Sequence, residues 1–229
     1  MHHLAMIMDG NRRWARENKL EALSLGHKEG MESIKRSIKF CLDKNIKYLS
    51  LYTFSLENFR RGEKEKKYLF DSLNNYLREH LEEFIEKEVR LRFVGDRDYF
   101  PSIVVDRINE AEEKTKNLEK LCVNFLFCYG SKQEIIHAAK KVAKKVKDGD
   151  LDINEIDEDS FRKEMWMNGA PDPDVIVRTG KTLRISNFLL FQAAYSEFIF
   201  LDCYWPEVDE AVLQMCVDRF YEVKRNFGR

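Results

Sequence analysis

The stretch His3-Leu4-Ala5-Met6-Ile7-Met8-Asp9-Gly10-Asn11-Arg12-Arg13-Trp14 decides the fold. A short apolar run breaks off at a carboxylate, a glycine, an amide and two guanidinium groups. Such a run predicts a strand buried in a parallel sheet. In open α/β sheets ligands bind outside the carboxyl ends of the strands. Asp9 is therefore expected at the mouth of a site, with Arg12 and Arg13 a turn further on. A single carboxylate suits Mg²⁺, which keeps waters and substrate phosphates in its shell, and the planar fork of arginine suits phosphate. Asp, Asn and Arg within five residues point to a metal-assisted diphosphate site. Asp-Gly-Asn is also ordinary turn chemistry. A second cluster outweighs that reading: Arg178-Thr179-Gly180-Lys181-Thr182-Leu183-Arg184-Ile185-Ser186-Asn187 follows the apolar Val175-Ile176-Val177. Two strand ends that each open into arginines argue against a chance turn.

Outward from these clusters, candidate strands fall at His3–Met8, Tyr48–Phe54, Arg90–Gly95, Cys122–Tyr129, Asp174–Arg178 and Phe198–Leu201. Helical patterns lie between and after them, at about 26–44, 63–88, 102–118, 131–147, 157–168 and 207–226. The alternation predicts an α/β fold, with a central, mostly parallel six-stranded sheet flanked by helices. No domain boundary is visible, so residues 1–229 are expected to form one domain. Lys147-Asp148-Gly149-Asp150-Leu151-Asp152 is the one stretch that reads as a polar linker.

Lys plus Arg number 39 and Asp plus Glu 40, a balance that gives no sign of bulk nucleic-acid binding. The five cysteines, at 41, 122, 128, 203 and 216, include no Cys-x-x-Cys pair, and several sit in apolar runs. A reduced, cytoplasmic setting is expected. Phe188 to Leu201 is too short and too polar to span a bilayer. Gly180-Lys181-Thr182 is not a nucleotide-binding loop, because Val175 stands where that motif needs its first glycine.

Seven stretches carry a resemblance that covers the whole chain: Met8 to Trp14, Gly26-His27, Phe54-Ser55-Leu56-Glu57-Asn58-Phe59-Arg60-Arg61, Arg178-Thr179-Gly180, Arg184-Ile185-Ser186-Asn187-Phe188-Leu189-Leu190, Tyr195-Ser196-Glu197 and Trp205-Pro206-Glu207. In this order they resemble the successive motifs of the cis-prenyltransferases, and most strongly those of the bacterial undecaprenyl diphosphate synthases (isoprenyl transferases). The resemblance implies an enzyme that condenses isopentenyl diphosphate repeatedly with an allylic diphosphate, with farnesyl diphosphate as the expected starter. The product would be a polyprenyl diphosphate such as undecaprenyl diphosphate, the lipid carrier precursor for cell-wall synthesis. It further implies Mg²⁺, a homodimer, a hydrophobic tunnel for the growing chain, and peripheral contact with the inner face of the membrane for product release.

By the same resemblance Asp9 and Asn58 are the catalytic candidates. Gly10, Asn11, Arg12, Arg13, Trp14, His27, Ser55, Phe59 and Arg61 are candidates for binding substrate, and Arg178, Arg184 and Ser186 for holding the diphosphate of isopentenyl diphosphate. Asp9 and Glu197 are the candidate metal ligands, the latter across or near a dimer interface. The apolar face of the helix around Leu73 to Phe84 and the strand Cys122–Tyr129 would wall the tunnel, with Thr53 beside it. Several positions depart from the family pattern. Glu21 and Ala22 stand where an arginine usually precedes Gly-His, with one extra residue in the segment; Phe59 and Gly62 replace the usual Trp and Pro; Lys181, Thr182 and Leu183 replace the usual Gly-Glu-x.

Three rivals are weighed against this reading. No Asp-Asp-x-x-Asp occurs, which argues against a trans-type prenyl synthase. A non-catalytic subunit of a heteromeric prenyltransferase would have lost the Asp-Gly-Asn block, which is kept. A shorter-chain cis-prenyl diphosphate synthase is the remaining alternative.

Overall fold

The computed structural model describes residues 1–60 and 62–223. Six strands form one sheet: β1 His3–Ile7, β2 Tyr48–Ser55, β3 Val89–Val94, β4 Leu121–Tyr129, β5 Val175–Arg178 and β6 Glu197–Phe200. They lie in the order β3-β4-β2-β1-β5-β6, and every pairing is parallel, not merely most of them. β1 and β4 are buried at each position, which is why both read as unbroken apolar runs. From β1 the chain crosses to β2 on one side, while β5, its other neighbour, leads on to β6. The carboxyl ends of β1 and β5 thus flank the crevice where such sheets bind ligands.

The two faces of the sheet carry separate cores. Leu4, Met6, Leu49, Leu51, Phe125, Phe127 and Val177 pack on one face. Above them lie α2 (Ser24–Asp43), α3 (Glu63–Glu86), α4 (Ser102–Thr115) and α7 (Glu210–Glu222). Ala5, Ile7, Leu126, Tyr129 and Ile176 face the other way, against Met167, Phe188 and Leu189 near α5 (Ser131–Asp148) and α6 (Glu158–Lys163). A buried polar chain crosses the middle strands. His3 Nδ1 lies 2.7 Å from Pro171 O and Nε2 2.8 Å from Ser50 Oγ, and Asn124 Nδ2 donates to Ser50 Oγ at 3.1 Å.

Four expectations are revised. Asn11–Glu17, where no helix is expected, is a short helix, α1. The helix expected over 157–168 ends at Lys163, because the chain turns there to bury Met165 and Met167, and Met167 N donates to the buried Glu134 carboxylate at 2.8 Å. The last helix starts at Glu210, where the Asp209 side chain accepts from Val212 N, and a 3₁₀ turn occupies Trp205–Glu207. The expected linker begins inside α5, which runs to Asp148 and closes on Gly149 at φ +81°.

Candidate functional site

The site starts where β1 and β5 end. Asp9 is fixed through its backbone: its N–H donates to Thr179 Oγ1 at 3.0 Å, and its carbonyl accepts from Thr179 Oγ1 at 2.7 Å and from Trp205 N at 3.0 Å. Its carboxylate lies between two guanidinium groups, 3.1 Å from Arg13 and 2.8 Å from Arg178. Arg178 is only 4% exposed, so this pairing is what lets a charge stay buried there. Arg178 also donates to Ser186 Oγ at 2.7 Å and to the carbonyl of Arg184, while its Nε has no partner.

Two glycines make room for this cluster. Gly180, at φ +89°, would put a Cβ 2.6 Å from an Arg13 nitrogen and 3.0 Å from Asp9 Cβ. Gly26 brings α2 against α1, where a Cβ would lie 2.1 Å from Asn11 O. Tyr204 shapes the outer rim. Arg13 and Lys181 lie over its ring at 5.4 and 4.7 Å, and its hydroxyl donates to Glu17 at 2.5 Å.

A cleft of about 750 Å³ leads away from Asp9 between α2, α3 and the sheet. Its mouth is polar, with Asp9, Asn58, Arg178, Arg184 and Ser186. Its throat is apolar, with Met31, Ile34, Leu69, Leu73, Phe125 and Phe127. The far end is polar again, at Glu32, Lys35, Glu79 and His80. Phe125 and Phe127 line the cleft and Leu126 does not, as strand alternation requires. Thr53 lines it too, at the point where the β2–β4 register slips, and its hydroxyl donates to Leu126 O at 2.8 Å.

Of the residues singled out from sequence, Asp9, Asn11, His27, Ser55, Asn58, Arg178, Arg184 and Ser186 all line this cleft. Asn58 Oδ1 accepts from Ser55 N at 3.2 Å, within the 3₁₀ turn Leu56–Arg60. Others stand around it. Gly10, at φ +105°, abuts Tyr204, where a Cβ would lie 2.4 Å from the ring. Arg12 reaches Glu65 at 3.4 Å, and His27 Nε2 lies 3.9 Å from the same carboxylate. Trp14 is half-buried on α1, outside the cleft lining. Phe59 turns its ring onto Phe54 and Tyr99, at 5.2 and 5.6 Å, rather than into the cleft. Arg61 lies outside the described residues. Glu197 does not join Asp9 within one chain. It opens β6 level with Val175 and Leu4, roughly 16 Å of strand rise short of Asp9.

Among the described residues no three His, Cys, Asp or Glu side chains gather as a metal cluster. One exposed-edge carboxylate still fits Mg²⁺, which is ordinarily held by one or two carboxylates together with substrate phosphates. A second acceptor, Asn11 Oδ1, is buried in the same cleft without a hydrogen-bond partner. Sequence reasoning missed Tyr204 and Glu17 and gave Thr179 no role. Thr179 stands within Arg178-Thr179-Gly180 and Tyr204 adjoins Trp205-Pro206-Glu207, so the motifs themselves were the available signal.

Comparison with known proteins agrees with this geometry. The family model described as "Putative undecaprenyl diphosphate synthase" matches residues 7–228. An isoprenyl transferase of Oceanobacillus iheyensis is 41% identical over 226 residues, spanning 99% of this chain and 89% of that one. A Micrococcus luteus protein named ditrans,polycis-undecaprenyl-diphosphate synthase ((2E,6E)-farnesyl-diphosphate specific) is 38% identical, over 99% and 90%. Two crystal structures align over all of this chain. Lavandulyl diphosphate synthase from Lavandula x intermedia, in complex with dimethylallyl diphosphate, gives a TM-score of 0.96 at 29% identity over 98% of its chain. A probable undecaprenyl diphosphate synthase from Campylobacter jejuni gives 0.82 at 33% over 99%.

Proposed function

Because this chain belongs to the prenyltransferase family described as putative undecaprenyl diphosphate synthases, we propose that it condenses isopentenyl diphosphate with an allylic diphosphate, farnesyl diphosphate first, to build a cis-polyprenyl diphosphate of about the undecaprenyl class. The observation that carries the reading is the Asp9–Arg178 pair at the polar head of a cleft that turns apolar behind it. A diphosphate and a hydrocarbon chain need those two environments in that order.

The chemistry assigns the roles. Ionisation of the allylic carbon–oxygen bond leaves diphosphate with added charge, which preorganised cations stabilise most effectively. Arg13, freed from Asp9, and the backbone N–H groups of α1 supply them. Mg²⁺, held by Asp9 and the substrate phosphates, would supply further charge compensation and orientation. Arg178, Arg184 and Ser186 anchor the second diphosphate so that its alkene faces the developing cation. Such proximity is worth roughly 7–11 kcal/mol in ideal cases. Asn58 and Ser55 bear on the reacting diphosphates from the end of β2 and the turn after it, and the family resemblance adds Gly10, Asn11, Arg12, Trp14, His27, Phe59 and Arg61 as further substrate-binding residues. Leu69, Leu73, Phe125 and Phe127 keep water from the cation. Proton loss then restores an alkene.

In this reading residues 1–229 are one catalytic domain working as a homodimer in the cytoplasm, with Glu197 completing the metal site of the partner copy. The edge position of β6 and the exposed Phe198 ring support that assembly. No helix among the described residues is long and apolar enough to cross a membrane; a peripheral contact would serve product release. A shorter product is the second reading, supported by the 0.96 likeness to a lavandulyl diphosphate synthase structure. Incubation with radiolabelled isopentenyl diphosphate, farnesyl diphosphate and Mg²⁺, followed by chromatographic sizing, tests both. Long chains support the first reading, products that stop after one or two additions to the C₁₅ starter the second, and no incorporation refutes both.

A further inference from the structure

Asn187 has no role in the reading above, yet it makes four hydrogen bonds in a strained backbone position. Its φ is +63°, a left-handed conformation that asparagine and aspartate tolerate. Its carbonyl accepts from Ser131 N at 2.9 Å and its Oδ1 from Lys132 N at 2.8 Å, so it caps the start of α5. Its Nδ2 donates to Gln133 Oε1 at 3.1 Å and to Glu57 Oε1 at 2.9 Å. A Cβ on Gly130 would lie 2.7 Å from this Nδ2, so the bare glycine leaves the amide its path. Glu57 sits in the 3₁₀ turn between Ser55 and Asn58, and Asn187 directly follows Ser186. One amide, anchored to a long helix through its oxygen, thus ties the loop after β2 to the loop after β5. Tyr52 adds a weaker tie, its hydroxyl donating to Ser186 O at 3.4 Å.

We propose that Asn187, acting through Glu57, is a positioning residue that keeps the two substrate loops in register, so that the two diphosphate sites are assembled together. The inference rests on the prenyltransferase reading, which gives each loop its substrate. The alternative is that Asn187 only caps α5 and accepts a left-handed φ. Aspartate would do both equally well, but its carboxylate would repel Glu57. Asn187→Asp therefore separates the two. Binding of isopentenyl diphosphate and of farnesyl thiodiphosphate, a non-ionising analogue, is measured by calorimetry, so the result does not depend on turnover.

Asn187→Asp should weaken both ligands at least about tenfold without lowering the melting temperature. Asn187→Asp with Glu57→Gln should recover most of that loss, because glutamine donates to the new carboxylate. Wild-type binding in Asn187→Asp, or no recovery in the double variant, overturns the proposal. Should Asn187→Asp fail to fold, Glu57→Ala, at an exposed residue, must show the same tenfold weakening, and unchanged binding there overturns it too. A wild-type chain that binds neither ligand removes the functional reading and this inference together. One that binds both, with the variants unchanged, removes only the inference.

Discussion

At the scale of single residues, Asp9 carries two functions that can be measured apart. It is the proposed metal ligand, and it is also the counter-charge of the buried Arg178. Asp9→Ala should lower kcat at least about a hundredfold, the cost typical of losing one preorganised charge-stabilising group. It should also cost about 1–2 kcal/mol in denaturant unfolding, below the value for a fully buried pair because Asp9 is 30% exposed. Near wild-type turnover would refute the metal role even if stability fell. Arg184→Ala removes an exposed guanidinium at the mouth and should raise KM for isopentenyl diphosphate roughly ten- to a hundredfold, with little effect on the allylic starter. His3 makes a different prediction. Burial lowers its pKa from 6.5 to about 4, so protonation favours the unfolded chain. Its contribution is complete above pH 6.5 and is lost as pH falls towards 4, up to about 3 kcal/mol. Urea midpoints between pH 7 and pH 4.5 should fall more steeply for the wild type than for His3→Gln.

At the scale of elements, the strands were legible because a central parallel strand announces itself as an unbroken apolar run, and β1 and β4 are buried throughout. α1 was not legible. It has no side-chain cap, and its start is set by Gly10 in a left-handed turn against Tyr204, a contact nearly the full chain away. The helix expected over 157–168 is too long because the chain leaves α6 after Lys163 to bury Met165 and Met167, and the bond from Met167 N to Glu134 comes from a distant element that local pattern does not show. For the same reason the motifs located the cleft's mouth while the roles of Tyr204 and Thr179, which orient those motifs, went unread. The strand β2 offers the test at this scale. Thr53 lines the cleft at a register slip and is already bonded to Leu126 O. Thr53→Leu should shorten the product by adding bulk that a packed wall does not absorb; an unchanged length distribution by chromatography would assign length control elsewhere, around Leu69 and Leu73.

For the whole molecule, the sequence sets Glu197 at the start of the last strand but not how far that start lies from Asp9, because the distance comes from the register of β6 with β5 and of β5 with β1. Glu197 stands at the start of β6, roughly 16 Å of strand rise from Asp9, so the proposed metal site can join the two only between copies. Glu197→Gln alone should raise the Mg²⁺ requirement. At a Mg²⁺ concentration too low to support Glu197→Gln, mixing Asp9→Ala with Glu197→Gln chains should restore about a quarter of wild-type activity, because half the dimers are mixed and each holds one intact composite site; no recovery would mean the sites are not shared. The way Asp9 is held has a consequence for synthesis. Its carboxylate partner Arg178 comes 169 positions later, and the backbone bond from Trp205 later still. At 5–20 residues per second, a ribosome needs roughly 10–30 s to bridge that interval. A nascent chain therefore carries Asp9 without either partner over that interval, and the proposed diphosphate site is assembled as one event only after Trp205 has been made.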